Sequence, residues 1–165
     1  LKWYRQSAEQ NNAQAQYALG LLYDQGYGVK ASPAEAFKWF RKAADQNDPQ
    51  AQFTVGYMFQ NGSGVKKDGT EALKWYRRAA EQGHAIALFA MGLCYRGCPG
   101  VMPDKIMTHM WMELAAPKMA DGVMKNVAQN IMAKTAAKMT PAELKEAKHL
   151  AAEWRHKNGE VGGSE

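Results

Sequence analysis

The feature that most constrains this chain is a repeat without gaps. LKWYR at residues 1–5 returns at 73–77, and FKWFR lies between them at 37–41, a spacing of 36 residues. A fixed period of this length marks stacked supersecondary units, each too small to bury its apolar face alone. The register holds at many positions. Ala15 recurs as Ala51 and Ala87, Tyr17 as Phe53 and Phe89, Gly20 as Gly56 and Gly92, and Gly28 as Gly64 and Gly100. Trp39 returns as Trp75 and Trp111, and the pair Ala43-Ala44 as Ala79-Ala80 and Ala115-Ala116. Three units follow, at 13–48, 49–84 and 85–120, with residues 1–12 as the second helix of a truncated unit. The chain therefore starts inside a pattern, so its first residue says nothing of targeting.

Within a unit the apolar spacing is helical. Ala15, Leu19, Leu22 and Tyr23 follow one helix face, and Ala36, Phe40, Ala43 and Ala44 a second. The loops between them (QGYGV, NGSGV, GCPGV) carry the glycines that a helix end and a turn require. Ser32-Pro33-Ala34-Glu35 predicts a capping box with proline at the first helical position; Asp68-Gly69-Thr70-Glu71 repeats it without the proline. Asp104 caps as well, but Met107 stands where the reciprocal glutamate belongs. Small residues at Ala15, Gly20, Ala36 and Ala44 allow close helix approach, with the Tyr23 and Trp39 types expected to fill the space alongside.

From 121 the pattern continues through Val123, Val127, Ile131 and Met132, but without the glycine loop. Thr140-Pro141-Ala142-Glu143 then launches a helix carrying Leu144, Ala147, Leu150, Ala151 and Trp154. Residues 121–157 thus read as a degenerate repeat with capping helices, and 158–165 as a flexible tail. The expected fold is all-α: a right-handed α/α superhelical solenoid of 36-residue helix-turn-helix repeats, closed by a C-terminal capping helix pair.

Catalytic chemistry finds little support. No Walker-type phosphate loop, G-x-S-x-G or H-E-x-x-H occurs. His149, Glu153 and His156 have a metal-like spacing, yet they read as the solvated side of a basic amphipathic helix. The expectation is no enzyme, no cofactor and no metal. No run of apolar residues is long enough to span a membrane.

The units resemble Sel-one-like repeats (SLR), relatives of the tetratricopeptide repeat. The resemblance rests on Ala13-Gln14-Ala15, Leu19-Gly20, Tyr23, Gly26-Tyr27-Gly28-Val29, Ala36, Trp39 and Ala43-Ala44. The second unit matches with Phe59 for tyrosine and Val55 for leucine; the third departs at Cys98 and in HMWMELAA. What the resemblance implies is a non-catalytic scaffold or adaptor, mainly bacterial, that binds a protein or peptide. Periplasm, secretion and cytoplasm all stay open. Cys94 takes the place of Leu22 and Met58 and is expected to be a small buried hydrophobe, while Cys98 lies in the turn. Disulfides of related SLR proteins clamp their two helices at other positions, and a bridge between i and i+4 is awkward, so free thiols are expected.

By analogy with tetratricopeptide arrays, the concave wall is lined by first-helix positions. These are Gln14, Tyr17, Leu21, Asp24 and Gln25, then Gln50, Phe53, Tyr57, Gln60 and Asn61, then Phe89, Leu93 and Arg96. Amides beside aromatic anchors suit peptide capture, although Tyr17, Phe53 and Phe89 could equally pack between repeats. A net charge of +5 raises a second reading. Lys38, Arg41 and Lys42, then Lys74, Arg77 and Arg78, form a basic ridge, expected on the convex side, that could serve an envelope or host-contact factor with acidic partners. Asp45 and Glu81 dilute the ridge, and it stops at Met110, Glu113 and Leu114, so nucleic acid is a poor fit. An apolar patch is expected around Met110 and Leu114, covered by the last helix or used for a partner or self-association.

Overall fold

A computed structural model of the chain describes residues 2–120 and 122–159, and within them every regular element is helical. Helix α1 (Lys2–Glu9) is followed by three helical pairs: α2 (Ala13–Gln25) with α3 (Pro33–Asp45), α4 (Pro49–Asn61) with α5 (Gly69–Glu81), and α6 (Ala85–Gly97) with α7 (Lys105–Ala115). A short turn of 3-10 helix, Ala116–Lys118, leads to α8 (Val123–Ala136) and α9 (Pro141–Lys157). The chain divides into two compact units, Leu1–His84 and Ala85–Glu165.

The helices begin where the sequence supplies acceptors. Asn12, Ser32, Asp48, Asp68, Asp104 and Thr140 each accept a hydrogen bond from the backbone N–H three residues on. The reciprocal half of the capping box forms only at Thr140, whose N–H donates to Glu143 at 2.8 Å. Glu35 and Glu71 turn instead to Lys38 and Lys74, each at 2.5 Å. A lysine three residues along the same helix face competes for the carboxylate that would otherwise reach back. First helices end at Gly26 and Gly62 in the left-handed conformation. α1, α3 and α5 end one residue position before Asn11, Asn47 and Gly83 respectively, counted from their caps, and all three take positive φ.

In the N-terminal unit the helices of each pair meet at a glycine. Phe40 lies over Gly20 and Tyr76 over Gly56, so closely that a Cβ would stand 2.6 or 2.7 Å from the ring. The residue that fills the gap is therefore the one after the repeated tryptophan. Trp39, expected in that role, is only half-buried and carries Lys42 Nζ at 4.2 Å from its ring centroid. Alanines at 36, 43, 44, 51, 72, 79 and 80 are buried around these rings together with Leu19, Val55 and Trp75.

A ladder of amides ties successive turns together. Buried Gln16 donates to the Ala8 carbonyl at 3.0 Å and accepts from Gln46 at 2.6 Å. One repeat later Gln52 donates to the Ala44 carbonyl at 3.3 Å and to Asn47 at 2.9 Å, and accepts from Gln82 at 2.8 Å. Each amide adds a second donor to a carbonyl at the end of the preceding second helix, which already accepts from the Asn11 or Asn47 N–H.

In the C-terminal unit Met112 takes the place of the ring, lying over Gly92. α9 packs against α7. The Trp111 and Trp154 rings meet edge-on at 4.7 Å, and Arg155 donates to Glu113 at 3.1 Å. Met110 and Leu114 are buried, at 5% and 1% exposure, so the expected patch is no surface for self-association. Of the expected apolar face of α8, Val123 and Val127 are exposed, and only Ala128 is buried. Of the expected tail, 160–165 lies outside the described residues.

Two predictions follow from this packing. Gly28 and Gly64 share a left-handed backbone, but only at Gly64 would a Cβ collide with the Pro33 carbonyl. In urea unfolding, Gly28→Ala should cost about 1–2 kcal/mol and Gly64→Ala clearly more; equal losses would show that the close approach does not matter. The second concerns His109, whose Nδ1 is buried without a hydrogen-bond partner among the described residues and lies 3.8 Å from Glu113. Burial holds this imidazole below its ordinary value of 6.5, against the pull of Glu113 and with a smaller push from Lys148. Because the unfolded chain takes the proton first, this stability is complete above 6.5 and declines as the pH falls toward the folded value. His84 is shifted the same way by burial. The urea midpoint should therefore drop on acidification, and His109→Gln should flatten part of that slope; an unchanged slope would remove His109 as a contributor.

Candidate functional site

On α2 and α4 the sequence-predicted face divides into packed and open positions. Tyr17 is half-buried; its hydroxyl lies 3.5 Å from Thr54 Oγ1, and its ring meets Phe40 at 5.2 Å. Phe53 stacks on His84 at 4.9 Å and leans on Tyr76 at 5.6 Å. Gln60 accepts from the Tyr76 hydroxyl at 2.5 Å, and burial pushes that phenol well above its usual range. Asn61 donates back to the Tyr57 carbonyl, Gln25 donates to the half-buried Asp24, and His84 Nε2–H donates to Gln50 Oε1 at 3.1 Å.

What is left open is narrower than the predicted row. Tyr57 is 55% exposed and Leu21 41%, and Gln14, Gln25, Gln50 and Asn61 are exposed on the same two helices. Spacings of seven and four residues put each helix's members on one side. An exposed aromatic and leucine among amides can bury apolar area and bond an extended backbone together.

In the C-terminal unit Phe89 is buried, Leu93 half-buried and Arg96 exposed. Cys94 and Cys98 are joined by a disulfide, which corrects the expectation of free thiols; Cys98 is also buried rather than displayed in the turn. Residues four apart on a helix lie one above the other, and here the helix continues to Gly97. Their Cα atoms are 4.5 Å apart, within the reach of a bridge.

The basic ridge is largely occupied by its own neighbours. Lys38 and Lys74 pair with Glu35 and Glu71, and Arg41 pairs with Asp45 at 3.2 Å. Arg41 and Arg78 flank the buried Trp75, each 4.5 Å from the ring centroid. Arg77 is exposed. Among the described residues no group of three His, Cys, Asp or Glu is arranged to hold a metal ion, and His149 lies 3.2 Å from Glu153 as an exposed pair. No helix there is long and apolar enough to cross a membrane.

Sequence reasoning missed a cleft of about 690 Å³ in the C-terminal unit, between the end of α6, the start of α7 and one face of α8. Val127, Ile131 and Lys134 recur on α8 at helical spacing, with Lys138 just past its end, a signal the sequence carried without showing what they faced.

The bridge is directly testable. Thiol labelling without reductant should find neither cysteine reactive, and reduction should lower stability by about 2 kcal/mol for so short a loop. Two reactive thiols in the unreduced protein would overturn the assignment.

Comparison with known proteins agrees with this geometry. The chain resembles a Sel1 repeat protein from Oxalobacter formigenes, with 37% identity and a TM-score of 0.73 over 96% of this chain and 62% of that one. It also resembles a protective antigen present in uropathogenic Escherichia coli strains displaying an SLR fold, with 30% identity and a TM-score of 0.67 over 95% of this chain and 40% of that one. The chain thus spans less than two thirds of either relative. No curated protein matches it. The Sel1 repeat profile matches residues 1–12, 13–48, 49–84 and 85–116, and the chain belongs to the Sel1-repeat family of all-α solenoid proteins.

Proposed function

We propose that this chain is a non-catalytic protein-binding scaffold that captures a protein or peptide on the open side of its first helices. Sel1 repeats mediate protein–protein interaction, which supports the general class. The observation that carries the finer reading is Tyr57, a large aromatic more than half exposed on α4, with Leu21 and exposed amides on the same helix faces. Tyrosine supplies apolar area and a hydroxyl at low entropic cost, which is why such residues anchor interfaces. Tyr17, Phe53 and Phe89 are framework for that surface, and Gln60 is committed to Tyr76. Arg96 would extend the capability of the C-terminal unit with a cation.

The second reading, a basic-ridge contact with acidic partners of the envelope or host, draws on Arg77 and the exposed lysines of α3 and α5. Their intrahelical pairs weaken it, because exposed charges already neutralised at close range project little field. The Cys94–Cys98 bridge favours an oxidising compartment for either reading.

A pull-down from lysate and envelope fractions discriminates them. A partner bound by the wild type should be lost with Tyr57→Ala, at a cost of about 2 kcal/mol if the residue is an anchor, and retained with Lys38→Glu/Arg77→Glu. Arg41 is left unaltered because reversing it would strip a cation from the buried Trp75. Loss only with the ridge variant would move the contact surface to α3 and α5.

A further inference from the structure

The cleft of the C-terminal unit has properties that no packing role explains. Its volume, about 690 Å³, falls within the range of ligand pockets and far exceeds what one small anion needs. Four cations line it, Arg96, Lys105, Lys134 and Lys138, against one carboxylate, Asp104. Asp104 is engaged in capping α7 through the Met107 N–H, and Lys105 bonds Glu143 at 2.9 Å and the Lys138 carbonyl at 3.2 Å. Arg96, Lys134 and Lys138 have no carboxylate partner among the described residues, in contrast to the paired lysines of α3 and α5.

The wall between these cations is apolar. Ile131 is half-buried and Val127 is 41% exposed, and α8 buries only Ala128. A helix that exposes Val123, Met124 and Val127 has apolar area left to cover. Tyr95 and Arg96 lie between Cys94 and Cys98, so the bridge fixes the turn that carries them. Asn130 adds an exposed amide able to bond a peptide backbone.

We propose that this cleft seats an acidic peptide segment of a protein partner, with carboxylates on Arg96, Lys134 and Lys138 and an apolar side chain on Val127 and Ile131. This rests on the scaffold reading and names its partner's chemistry. Three unpaired like charges around a concave, low-dielectric wall focus a positive field, which an incoming carboxylate relieves. A nucleic acid would satisfy the charge but leave the aliphatic wall uncovered, since it contacts cations and aromatic stacking platforms instead.

The test uses fluorescein-labelled peptides built from glutamate with leucine at every third position, read by fluorescence polarisation. Controls replace leucine with glycine or glutamate with lysine, and a single-stranded oligonucleotide carries the same charge as the acidic peptide. The glutamate–leucine peptide should bind best and weaken with salt. Lys134→Glu/Lys138→Glu should reduce its affinity about tenfold or more, while Lys38→Glu/Arg77→Glu should leave it unchanged. These lysines are exposed, and a circular dichroism melt confirms that the variant folds. Absence of peptide binding, indifference to the reversal, equal binding of the glycine peptide, or equal binding of the oligonucleotide would each overturn the proposal. A partner that depends on Tyr57 while no acidic peptide binds removes this inference alone. Peptide binding without any Tyr57-dependent partner removes the first-helix surface instead.

Discussion

The packing of each helical pair depends on one contact, a large side chain seated directly on a helical glycine. Phe40 on Gly20, Tyr76 on Gly56 and Met112 on Gly92 occupy the same place in three successive pairs. Glycine within a helix costs about 1 kcal/mol relative to alanine. Burying a ring or a methionine side chain returns about 1.5–3 kcal/mol, and the close approach lets the neighbouring alanines pack backbone to backbone. Because the gap is filled from the second helix, the opposite side of the first helix owes nothing to hairpin packing. That is where Leu21 and Tyr57 stand exposed.

The amide ladder adds direction to this packing. Gln16 and Gln52 are buried polar groups, tolerable only because each finds a carbonyl to donate to and an amide to accept from. The third repeat abandons the device: Leu88 stands where Gln16 and Gln52 stood, and Gly83 replaces Asn11 and Asn47. The same change of chemistry runs on through the chain, with nine of ten methionines between Met91 and Met139. Repetition gives way to a sealed end, in which Trp154 of α9 covers Trp111 of α7. The polar atoms caught beneath it, on His109, Trp111, Glu113 and Trp154, are the residue of that closure.

Most of the architecture was legible because a period states the same constraint several times. Helix starts at Ser32, Asp68, Asp104 and Thr140 could be read directly, since a cap is a local interaction. Competition between two local partners could not: whether Glu35 reaches back to its cap or forward to Lys38 depends on small differences between exposed bonds. Phe40 was misjudged in favour of Trp39 because the two are adjacent and both apolar, and only three-dimensional packing separates them. The Cys94–Cys98 bridge was missed for a related reason. Proximity one helical turn apart was visible, but a bridge between i and i+4 at a helix end was judged awkward, and the 4.5 Å Cα separation that allows it shows only in three dimensions. The cleft was the hardest to anticipate, because its walls come from α6, α7 and α8, and no repeat of the pattern precedes it.

The chain also shows why a count of basic residues locates nothing. Lys38 and Lys74 recur at repeat period, which made a ridge conspicuous in the sequence, yet the glutamate three residues before each recurs with them. For these two lysines, periodicity copies the charge together with its counter-charge. Lys134 and Lys138 arise where the repeat has decayed, so no carboxylate was carried along to neutralise them. These unpaired lysines therefore stand where the pattern fails, at the C-terminal part of α8 and just past its end, beside the exposed Val127.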